Sequence, residues 1–401
     1  MKREESIWSM QEKTVWVVGH KNPDTDSICA AIAYAYLKNA TEEGTVFVPK
    51  RAGNINNETR YVLQRFDVKE PEMISYVGAQ IKDIDYRHTD GVSGHYSLKK
   101  AWELMRKLDV VTLPVVDVNK RLEGVIVNGD IAYSYMDILD NRILGQAKTQ
   151  YRNIIETIQG TMVTGNYHAH FTKGKVVVAS GNRETLREEV EDDDLVITGN
   201  IKERQLIAIE QNASCVIVCG KTKVDPEVVE EAKKKECVLI TTNYDSFTTA
   251  RLIHQSMPIR HFMTKENIIT FEPDDYVDDV KETMSKIRHR DFPILDEQRR
   301  LVGMMSRRHL LNMKKKLLIL VDHNEKTQAV DGIDQADILE IIDHHRLGSL
   351  ETITPIFFRN QPLGCTATII YQMYEEKGIE INEQIAGLLC AAIISDTLMF
   401  R

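Results

Sequence analysis

The chain contains 401 residues, of which 42% are hydrophobic and 28% are charged, and its formal net charge is -9 at pH 7. At ~100–200 residues per domain this length predicts two to four domains, and the hydrophobic share is sufficient for ordinary buried cores. The acidic balance argues against nucleic acid as a partner, because phosphate backbones select basic surfaces. It leaves open a small phosphorylated ligand that is held through a metal ion.

The cysteines and the apolar segments indicate a cytoplasmic protein. Six cysteines are scattered along the chain, the closest pair being Cys215 and Cys219, and they form no paired zinc pattern. Such cysteines are typical of reduced thiols. No apolar run approaches the ~20 residues of a membrane span. The start, Met1–Lys13, is charged and has no apolar signal core. We therefore expect no membrane partner.

The first informative stretch is a strand followed by a polar loop. The apolar residues Thr14–Val18 predict a buried parallel strand, and Ile28–Leu37 predict a helix that Ser27 would cap. The loop between them, Gly19–Ser27, contains one imidazole and two carboxylates. Loops at the carboxyl ends of parallel strands bind ligands, and mixed nitrogen and oxygen donors suit Mn²⁺ or Mg²⁺. The alternative is a surface turn, because Asn, Pro and Asp all favour turns.

An internal repeat follows a predicted second strand and second helix. The strand is Thr45–Val48, and the helix is Asn57–Phe66, capped by Asn57, with Tyr61, Leu63 and Phe66 facing inward. Residues 105–124 then recur as residues 284–303 at a constant offset of 179, without a gap. Each copy predicts a helix, a Pro-led strand, an Asp turn, a second strand and a helix. Two such small units are expected to bury their apolar faces against each other.

The segment between the two copies, Thr149–Ser256, has the size of an independent domain. Its alternating strand and helix patterns predict a second α/β unit. The predicted elements are the strands Lys175–Ala179, Leu195–Thr198, Cys215–Cys219 and Val238–Thr241 and the helix Pro226–Glu236.

Asp and His residues follow several predicted elements toward the end of the chain. The strand Leu317–Val321 leads into Asp322, and the strand Ile338–Ile342 leads into Asp343-His344-His345. Two helices, Thr366–Tyr374 and Glu383–Ile394, complete this region, and Asp396 follows the second. If the repeat and the segment within it are inserted at an exposed loop, the strands on either side belong to one sheet.

Three resemblances now connect these patterns. The repeat, over Val77–Asp140 and Met257–Lys315, resembles the CBS domain, and the segment between the copies resembles the DRTGG domain. Four ordered motifs resemble those of the DHH phosphoesterases, and among these the family II inorganic pyrophosphatases: His20–Ser27, Val321–Asn324, Asp343–His345 and Ser395–Thr397. Thr25, Asp343–Arg346 and Pro362–Thr368 favour the pyrophosphatases over oligonucleotide-cleaving relatives.

The resemblance implies an α/β architecture in which a DHH parallel-sheet domain is split by an inserted regulatory region, two CBS units flanking a DRTGG-like α/β domain. The DHH domain would then comprise residues 1–72 and residues 316–401. Within the insertion, the two CBS units would span residues 73–148 and 257–315, with the DRTGG-like domain at residues 149–256 between them.

The resemblance also implies the site and the reaction. His20 and Asp24 would bind one metal ion, Asp26, His344 and Asp396 a second, and Asp322 would bridge both. The expected metals are Mn²⁺ or Co²⁺, with Mg²⁺. His345 would contact the substrate and donate a proton to the leaving phosphate, while Asp343 and His323 would orient ligands. The implied function is hydrolysis of inorganic pyrophosphate to two phosphates, because two cations neutralise phosphate charge and activate water.

The CBS resemblance implies regulation by adenine nucleotides, namely AMP, ADP, ATP or diadenosine polyphosphates, and a homodimer formed through the CBS region. The implied nucleotide-binding residues are Asp130, Ser306 and His309. The first copy departs from the family pattern because Val127 occupies the hydroxyl position. The second departs because His309 occupies the Asp position.

One further departure concerns turnover. In the family a second lobe with basic residues that grip pyrophosphate follows the fourth motif, whereas this chain ends at Leu398–Arg401. We therefore expect this chain to hydrolyse pyrophosphate poorly or not at all. Two alternatives remain: a non-catalytic protein that senses adenine nucleotides, and a DHH phosphodiesterase that acts on small nucleotides.

Overall fold

The computed structural model describes residues 13–136, 140–221, 223–313 and 315–399. The charged segment before Lys13 and the last two residues thus lie outside the described residues. The chain divides into two compact units. The first contains the described residues of Met1–Asp85, Asp274–Arg288 and Arg307–Arg401, and the second contains Tyr86–Pro273 and His289–Ser306. None of the helices in the described regions of the chain is both long and apolar enough to cross a membrane.

The strands, in chain order, are β1 (Lys13–Val18), β2 (Thr45–Arg51), β3 (Glu72–Met73), β4 (Arg87–His88), β5 (Val92–Ser93), β6 (Thr112–Val116), β7 (Leu122–Val127), β8 (Thr149–Gln150), β9 (Gly160–Thr164), β10 (His170–Phe171), β11 (Val176–Val178), β12 (Leu195–Thr198), β13 (Cys215–Cys219), β14 (Val238–Thr242), β15 (Asp291–Leu295), β16 (Leu301–Ser306), β17 (Leu317–Val321), β18 (Asp337–Asp343) and β19 (Phe357–Asn360).

The α-helices are α1 (Thr25–Thr41), α2 (Asn57–Arg65), α3 (Leu98–Leu108), α4 (Asn128–Met136), α5 (Ile143–Gln146), α6 (Tyr151–Ile158), α7 (Arg183–Glu189), α8 (Lys202–Glu210), α9 (Pro226–Lys234), α10 (Ser246–Ile253), α11 (Val277–Ser285), α12 (Thr366–Lys377) and α13 (Glu383–Asp396). Short 3₁₀ helices span Ile81–Asp83, His254–Ser256, Ile259–His261, Arg307–Asn312 and Ile333–Gln335.

The first unit contains a six-stranded parallel sheet with the order β19-β18-β17-β1-β2-β3. β1 pairs with β2 on one side and with β17 on the other, and Val15 lies opposite Leu317. Strands from the beginning and the end of the chain thus form one sheet, as the sequence predicted. The order of the strands reverses between β1 and β17, and such a reversal opens a crevice at the carboxyl ends of the two strands.

Alternating side chains of β1 point to the two faces of this sheet. Val15 and Val17 are buried among α1, α12 and α13, whereas Val18 is buried on the other face with Leu318 and Leu320. α1 is buried over most of its length and is rich in alanine. Small side chains let neighbouring helices approach closely, so α1 can lie beneath both α12 and α13.

The loop between β1 and α1 differs in detail from the prediction. α1 begins at Thr25, and its N-cap is Asp24, whose Oδ1 accepts a hydrogen bond from the Ser27 amide at 2.9 Å. The prediction that Ser27 caps this helix is therefore wrong; its hydroxyl instead accepts from the His20 amide at 3.1 Å. A Cβ atom on Gly19 would lie 2.0 Å from Ser27 Oγ, so only glycine permits this close approach.

The second helix also begins one residue earlier than its predicted cap. Asn56, rather than Asn57, is the N-cap of α2 and accepts a hydrogen bond from the Thr59 amide at 2.8 Å. Leu63 is buried and Phe66 is partly buried, as predicted, but Tyr61 is 67% exposed and the prediction for it is wrong. The helical period places Tyr61 away from the face that carries Val62 and Leu63.

The second unit contains a five-stranded sheet with the order β11-β12-β13-β14-β9, in which only β9 is antiparallel. The four strands predicted between the repeat copies are therefore confirmed, with changes of one residue at some ends. The hairpins β6-β7 and β15-β16 show the internal repeat. Each is antiparallel and has a register shift at the same repeat position, between Val115 and Val116 and between Ile294 and Leu295. The helix predicted at the end of the second copy is a 3₁₀ helix. The five-segment division of the chain stays a prediction.

Candidate metal centre

The carboxyl ends of β1, β17 and β18 lie side by side in the first unit, because these neighbouring strands are parallel. The loop after β1 provides His20, Asp24 and Asp26, β17 is followed by Asp322, and β18 is followed by His344. Asp396 ends α13, which packs against α1. The structure thus brings together six side chains from three strand ends and one helix end.

Their ligand atoms form two groups of three. His20, Asp24 and Asp322 offer donor atoms that lie within 4.8 Å of one another, and the same holds for Asp26, His344 and Asp396. Each group contains one imidazole together with carboxylates. This set of nitrogen and oxygen donors suits Mn²⁺ and Co²⁺ better than Ca²⁺, which prefers oxygen alone.

Asp322 belongs to the first group and also faces the second. Its Oδ2 is 3.4 Å from His20 Nε2, and its Oδ1 is 3.5 Å from His344 Nε2, so each oxygen faces a different imidazole. The residue is buried and has φ of +64°, in the left-handed region. Asp tolerates this conformation better than most residues, and such strain is common at functional sites. A carboxylate placed in this way can bridge two cations.

The second group is held by backbone contacts. The buried Asp26 accepts hydrogen bonds from the amides of Thr366 and Ala367 at 2.6 and 2.9 Å, in the first turn of α12. His344 Nδ1 contacts the Leu363 carbonyl at 3.0 Å and must donate to it, which leaves an electron pair on Nε2. That Nε2 atom lies 3.7 Å from Asp396 Oδ2.

The state of His344 Nε2 tests whether these residues fit a metal ion. This atom is buried and, within the described regions of the chain, has no hydrogen-bond partner. Buried polar atoms are normally paired, and an orphan acceptor surrounded by carboxylates needs either a proton or a cation. The donor set and this unpaired nitrogen both fit a bound divalent cation.

The electrostatics of the metal-free cluster support the same view. Burial alone would lower the pKa of His20, but Asp24 and Asp322 together raise it to about 10. Burial likewise opposes the charge on His344, yet the nearby Asp322 carboxylate and the Leu363 carbonyl raise its pKa to about 9. Burial, with the charges of Asp322 and Asp24, raises the pKa of Asp396 to about 6. Without a cation the cluster therefore retains protons.

The pKa values of two buried carboxylates shift in opposite directions. Burial and the neighbouring charges of Asp322 and Asp396 raise the pKa of Asp26 well above its ordinary value. Burial would also raise the pKa of Asp322, but the neighbouring imidazoles of His20 and His344 lower it below the usual range. Asp322 is thus the carboxylate that stays ionised.

His345 is placed beside the group but is held differently. Its Nδ1 lies 2.8 Å from Asp343 Oδ1 and 3.9 Å from Asp322 Oδ1, and its side chain is 47% exposed. Asp343 also accepts from the amides of His344 and His345. His323 is fully buried with Nδ1 2.9 Å from the Val321 carbonyl, and burial lowers its pKa to about 4. His323 is therefore a neutral imidazole.

Thr366 and Asn324 were missed as site residues by the sequence analysis. Thr366 donates its hydroxyl to Asp322 Oδ1 at 2.9 Å while its amide binds Asp26, so one residue contacts both groups. Asn324 donates to Asp343 and to the Arg346 carbonyl, which ties the β17 and β18 loops together. A helix N-terminus is a known anion-binding feature, so the start of the predicted helix at Thr366 was an available signal.

The three predicted nucleotide-binding residues lie elsewhere. Asp130, in the first turn of α4, accepts a hydrogen bond from the Val127 amide at 2.9 Å, and burial raises its pKa. Ser306 ends β16. Asp130 and Ser306 belong to the second unit, whereas His309, in a 3₁₀ helix, belongs to the first.

Comparison with known proteins gives the family. The model of the DHH family, N-terminal domain, matches residues 14–393. The cobalt-dependent inorganic pyrophosphatase of Clostridium perfringens is 43% identical over 387 residues, covering 96% of this chain and 70% of that protein. The probable manganese-dependent inorganic pyrophosphatase of Thermotoga maritima is 36% identical over 387 residues, covering 96% of this chain and 70% of that protein.

A solved structure matches the region between the two parts of the sheet domain. The CBS and DRTGG domains of the regulatory region of Clostridium perfringens pyrophosphatase, complexed with the activator diadenosine tetraphosphate, match this chain with a TM-score of 0.55. The match has 37% sequence identity and covers 57% of this chain and all of that one. The predicted architecture, a parallel DHH sheet interrupted by a CBS–DRTGG region, is thereby confirmed. The chain belongs to the DHH family and, within it, to the metal-dependent inorganic pyrophosphatases that carry CBS and DRTGG domains.

Proposed function

We propose that this chain hydrolyses inorganic pyrophosphate to two phosphates with the help of two divalent cations, Mn²⁺ or Co²⁺. The observation that carries this proposal is the position of Asp322, which belongs to one trio of ligand atoms and whose two oxygens face the imidazoles of both trios. The named relatives act on the same substrate class with the same metals, which supports the choice of reaction.

In this proposal His20 and Asp24 hold one cation, Asp26, His344 and Asp396 hold the other, and Asp322 holds both. When bound, the two cations would supply positive charge to the phosphate oxygens and lower the pKa of an attacking water. Asp322 is suited to this role because it remains ionised when its neighbours carry protons. The buried amides of α12 keep Asp26 from turning away.

His345 is the residue that we assign to proton transfer. Its Nδ1 atom is engaged by Asp343, which fixes the ring and leaves Nε2 for the substrate. An exposed imidazole next to a buried carboxylate can protonate a leaving phosphate, the group that most needs a proton when the anhydride bond breaks. Asp343 and Asn324 are positioning residues, since they hold His345 and its loop without facing the substrate.

The test is phosphate release from pyrophosphate by the purified chain with Mn²⁺, compared with Asp322→Asn. We expect Mn²⁺-dependent release that the substitution lowers by at least ~100-fold, since loss of a shared ligand disrupts both cations. Equal release by both proteins, or hydrolysis of cyclic dinucleotides or short oligonucleotides in place of pyrophosphate, would overturn the proposal.

Regulation by adenine nucleotides is the second element of the proposal. The matched regulatory region was solved with diadenosine tetraphosphate as its activator, which supports binding of AMP, ADP, ATP or diadenosine polyphosphates to the CBS–DRTGG region of this chain. We assign Asp130, Ser306 and His309 to nucleotide contacts. Titration of the chain with each nucleotide by calorimetry tests this assignment, and absence of heat with all of them contradicts it.

The remaining assignments concern assembly and environment. We propose a homodimer formed through the CBS region, a cytoplasmic location and use of Mg²⁺ together with Mn²⁺ or Co²⁺. All six cysteines are free, five of them buried, which supports a reducing compartment. Sedimentation velocity of the wild type, compared with variants substituted in the CBS region, tests the dimer.

A further inference from the structure

Glu58 lies outside the four signature motifs, in the first turn of α2, yet its carboxylate joins two elements that carry predicted metal ligands. Glu58 Oε1 accepts a hydrogen bond from Thr25 Oγ1 at 2.9 Å and another from Ser395 Oγ at 2.5 Å. Thr25 begins α1 and Ser395 lies in the last turn of α13. A single oxygen therefore links the beginning of one helix to the end of another.

Both hydrogen-bond donors are direct neighbours of predicted ligands. Thr25 lies between Asp24 and Asp26, and Ser395 immediately precedes Asp396. Asp26 is already fixed by two amides of α12. Asp396 Oδ2, in contrast, lies 3.7 Å from His344 Nε2, beyond hydrogen-bonding distance, so its position depends on the helix end that carries it.

The helix turn that carries Glu58 is itself held in place. Asn56 caps α2 through the Thr59 amide, and the buried Thr59 hydroxyl lies 3.1 Å from Thr25 Oγ1. This contact packs the start of α2 against the start of α1. The Glu58 side chain then extends from a fixed helix turn toward Ser395, so it can restrain the last turn of α13.

We infer that Glu58 is a positioning residue that sets the separation of Asp26 and Asp396, and thereby the geometry of the second metal site. The inference rests on the proposed two-metal function. Groups that hold metal ligands in place typically change metal affinity by about 10–100-fold when they are removed. A charged oxygen that accepts two hydrogen bonds orients both donors at once, which a surface ion pair does not do.

The test is calorimetric titration of the metal-free chain with Mn²⁺. We expect Glu58→Ala to weaken one Mn²⁺ equivalent by about 10-fold or more and to leave the other near the wild-type affinity. Glu58→Gln keeps an acceptor oxygen, so its Mn²⁺ affinity should lie between those of the wild type and Glu58→Ala. The matched control is Glu376→Ala, which removes an exposed carboxylate of the same unit that binds Arg359 at 2.6 Å; it should titrate as the wild type does.

A second variant tests the link to α13. Ser395→Ala removes the contact of Glu58 with α13 and keeps its contact with Thr25, so it should weaken the same Mn²⁺ equivalent, and the double variant should lose no more than Glu58→Ala. Additive losses would overturn the inference. So would a lower melting temperature of metal-free Glu58→Ala with unchanged Mn²⁺ affinities, which indicates a role in stability alone.

Asp322→Asn separates this inference from the proposed function. If Asp322→Asn binds Mn²⁺ as the wild type does, the two-metal site itself fails. If Asp322→Asn loses binding while Glu58→Ala and Ser395→Ala keep both Mn²⁺ affinities, only the inference on Glu58 fails.

Discussion

The two imidazoles of the cluster are oriented by different neighbours. His344 is oriented by a backbone carbonyl, which leaves its Nε2 atom buried and unpaired within the described regions of the chain. His20 is oriented differently, because its Nε2 atom lies between Asp24 and Asp322, at 3.6 and 3.4 Å. We therefore expect the orientation of the His344 ring to be preformed and that of the His20 ring to depend on the two carboxylates.

Replacing Asp322 by Asn should abolish high-affinity Mn²⁺ binding at both subsites. The change is nearly isosteric, but an amide supplies one neutral oxygen where two charged oxygens now face two imidazoles. The measurement is the shift of the melting temperature on addition of Mn²⁺. Asp334→Asn, a surface carboxylate paired with Lys326, is the control and should keep the wild-type shift. An Mn²⁺ shift in Asp322→Asn that equals the control would contradict this prediction.

Mn²⁺ affinity should rise with pH between about 6 and about 9, the range over which Asp396 and then His344 lose their protons. In the metal-free protein the pKa values of His20 and His344 are raised, so both imidazoles carry protons at neutral pH. A cation needs the free electron pairs of these groups, so its binding releases protons. Mn²⁺ binding is therefore favoured at higher pH. Titrations in buffers of different ionisation enthalpy measure the release. A flat affinity with no proton release would contradict it.

At the scale of residues, the sequence predicted the six clustered side chains but not the groups that hold them. His20, Asp24, Asp26, Asp322, His344 and Asp396 were assigned from the motifs, and the structure places them together. Glu58 could not be assigned in this way. Its contact with Ser395 joins regions of the chain that are far apart in sequence, and no local pattern records such a pair. The contacts of Thr366 are equally distant in sequence, and its one local signal was the predicted start of a helix.

The N-terminus of α12 is the element on which both metal groups depend. Its first two amides bind Asp26, and its first hydroxyl binds Asp322. The positive end of the helix dipole therefore faces two carboxylates, which favours their ionised forms. A cluster that is rich in acidic groups is stabilised by such an element even before a cation binds.

Thr366→Val should weaken Mn²⁺ binding by about 10-fold, whereas Thr366→Ser should retain it. Valine keeps the shape and the amide that binds Asp26 but removes the hydroxyl that binds Asp322. The control is Thr368→Val in the same turn, whose hydroxyl contacts Cys365 Sγ at 3.1 Å instead of a carboxylate. Equal Mn²⁺ affinities for Thr366→Val and Thr368→Val would show that the hydroxyl of Thr366 is not needed.

The elements themselves were predicted well where periodicity was strong and less well at their ends. β12, β13 and β17 have the predicted bounds because continuous apolar runs specify buried strands. The start of α1 was misplaced because two residues, Asp24 and Ser27, can both cap a helix. The choice depends on Gly19, whose lack of a side chain lets the Ser27 hydroxyl reach the loop.

At the scale of the whole chain, β1 and β17 are neighbours in one sheet although the regulatory region separates them in sequence. The sequence predicted this arrangement only because the repeat could be recognised and set aside, after which the two groups of motifs became adjacent. Hydrophobic patterns alone do not show which strands pair across an insertion of this length. The internal repeat is therefore the feature that made the pairing of β1 with β17 predictable.

Nucleotide binding should depend on Asp130 more than on the equivalent position of the second copy, where the carboxylate is replaced by His309. Asp130→Asn should weaken the binding of AMP and diadenosine tetraphosphate by about 10-fold or more, since a hydrogen bond to a charged group contributes about 1.5–3 kcal/mol. Its carboxylate already accepts the Val127 amide, which holds it at the start of α4.

Asp109→Asn is the matched control for that experiment, because Asp109 is an exposed residue of the same unit in a left-handed conformation that Asn also tolerates. Calorimetry on the full chain gives the affinities, and the same titrations are repeated with Ser306→Ala. A loss in Ser306→Ala with wild-type affinity in Asp130→Asn would assign the nucleotide to the second copy. Wild-type affinity in both variants would mean that neither residue contacts the nucleotide, because removing a charged or hydroxyl partner from a ribose or phosphate has a measurable cost.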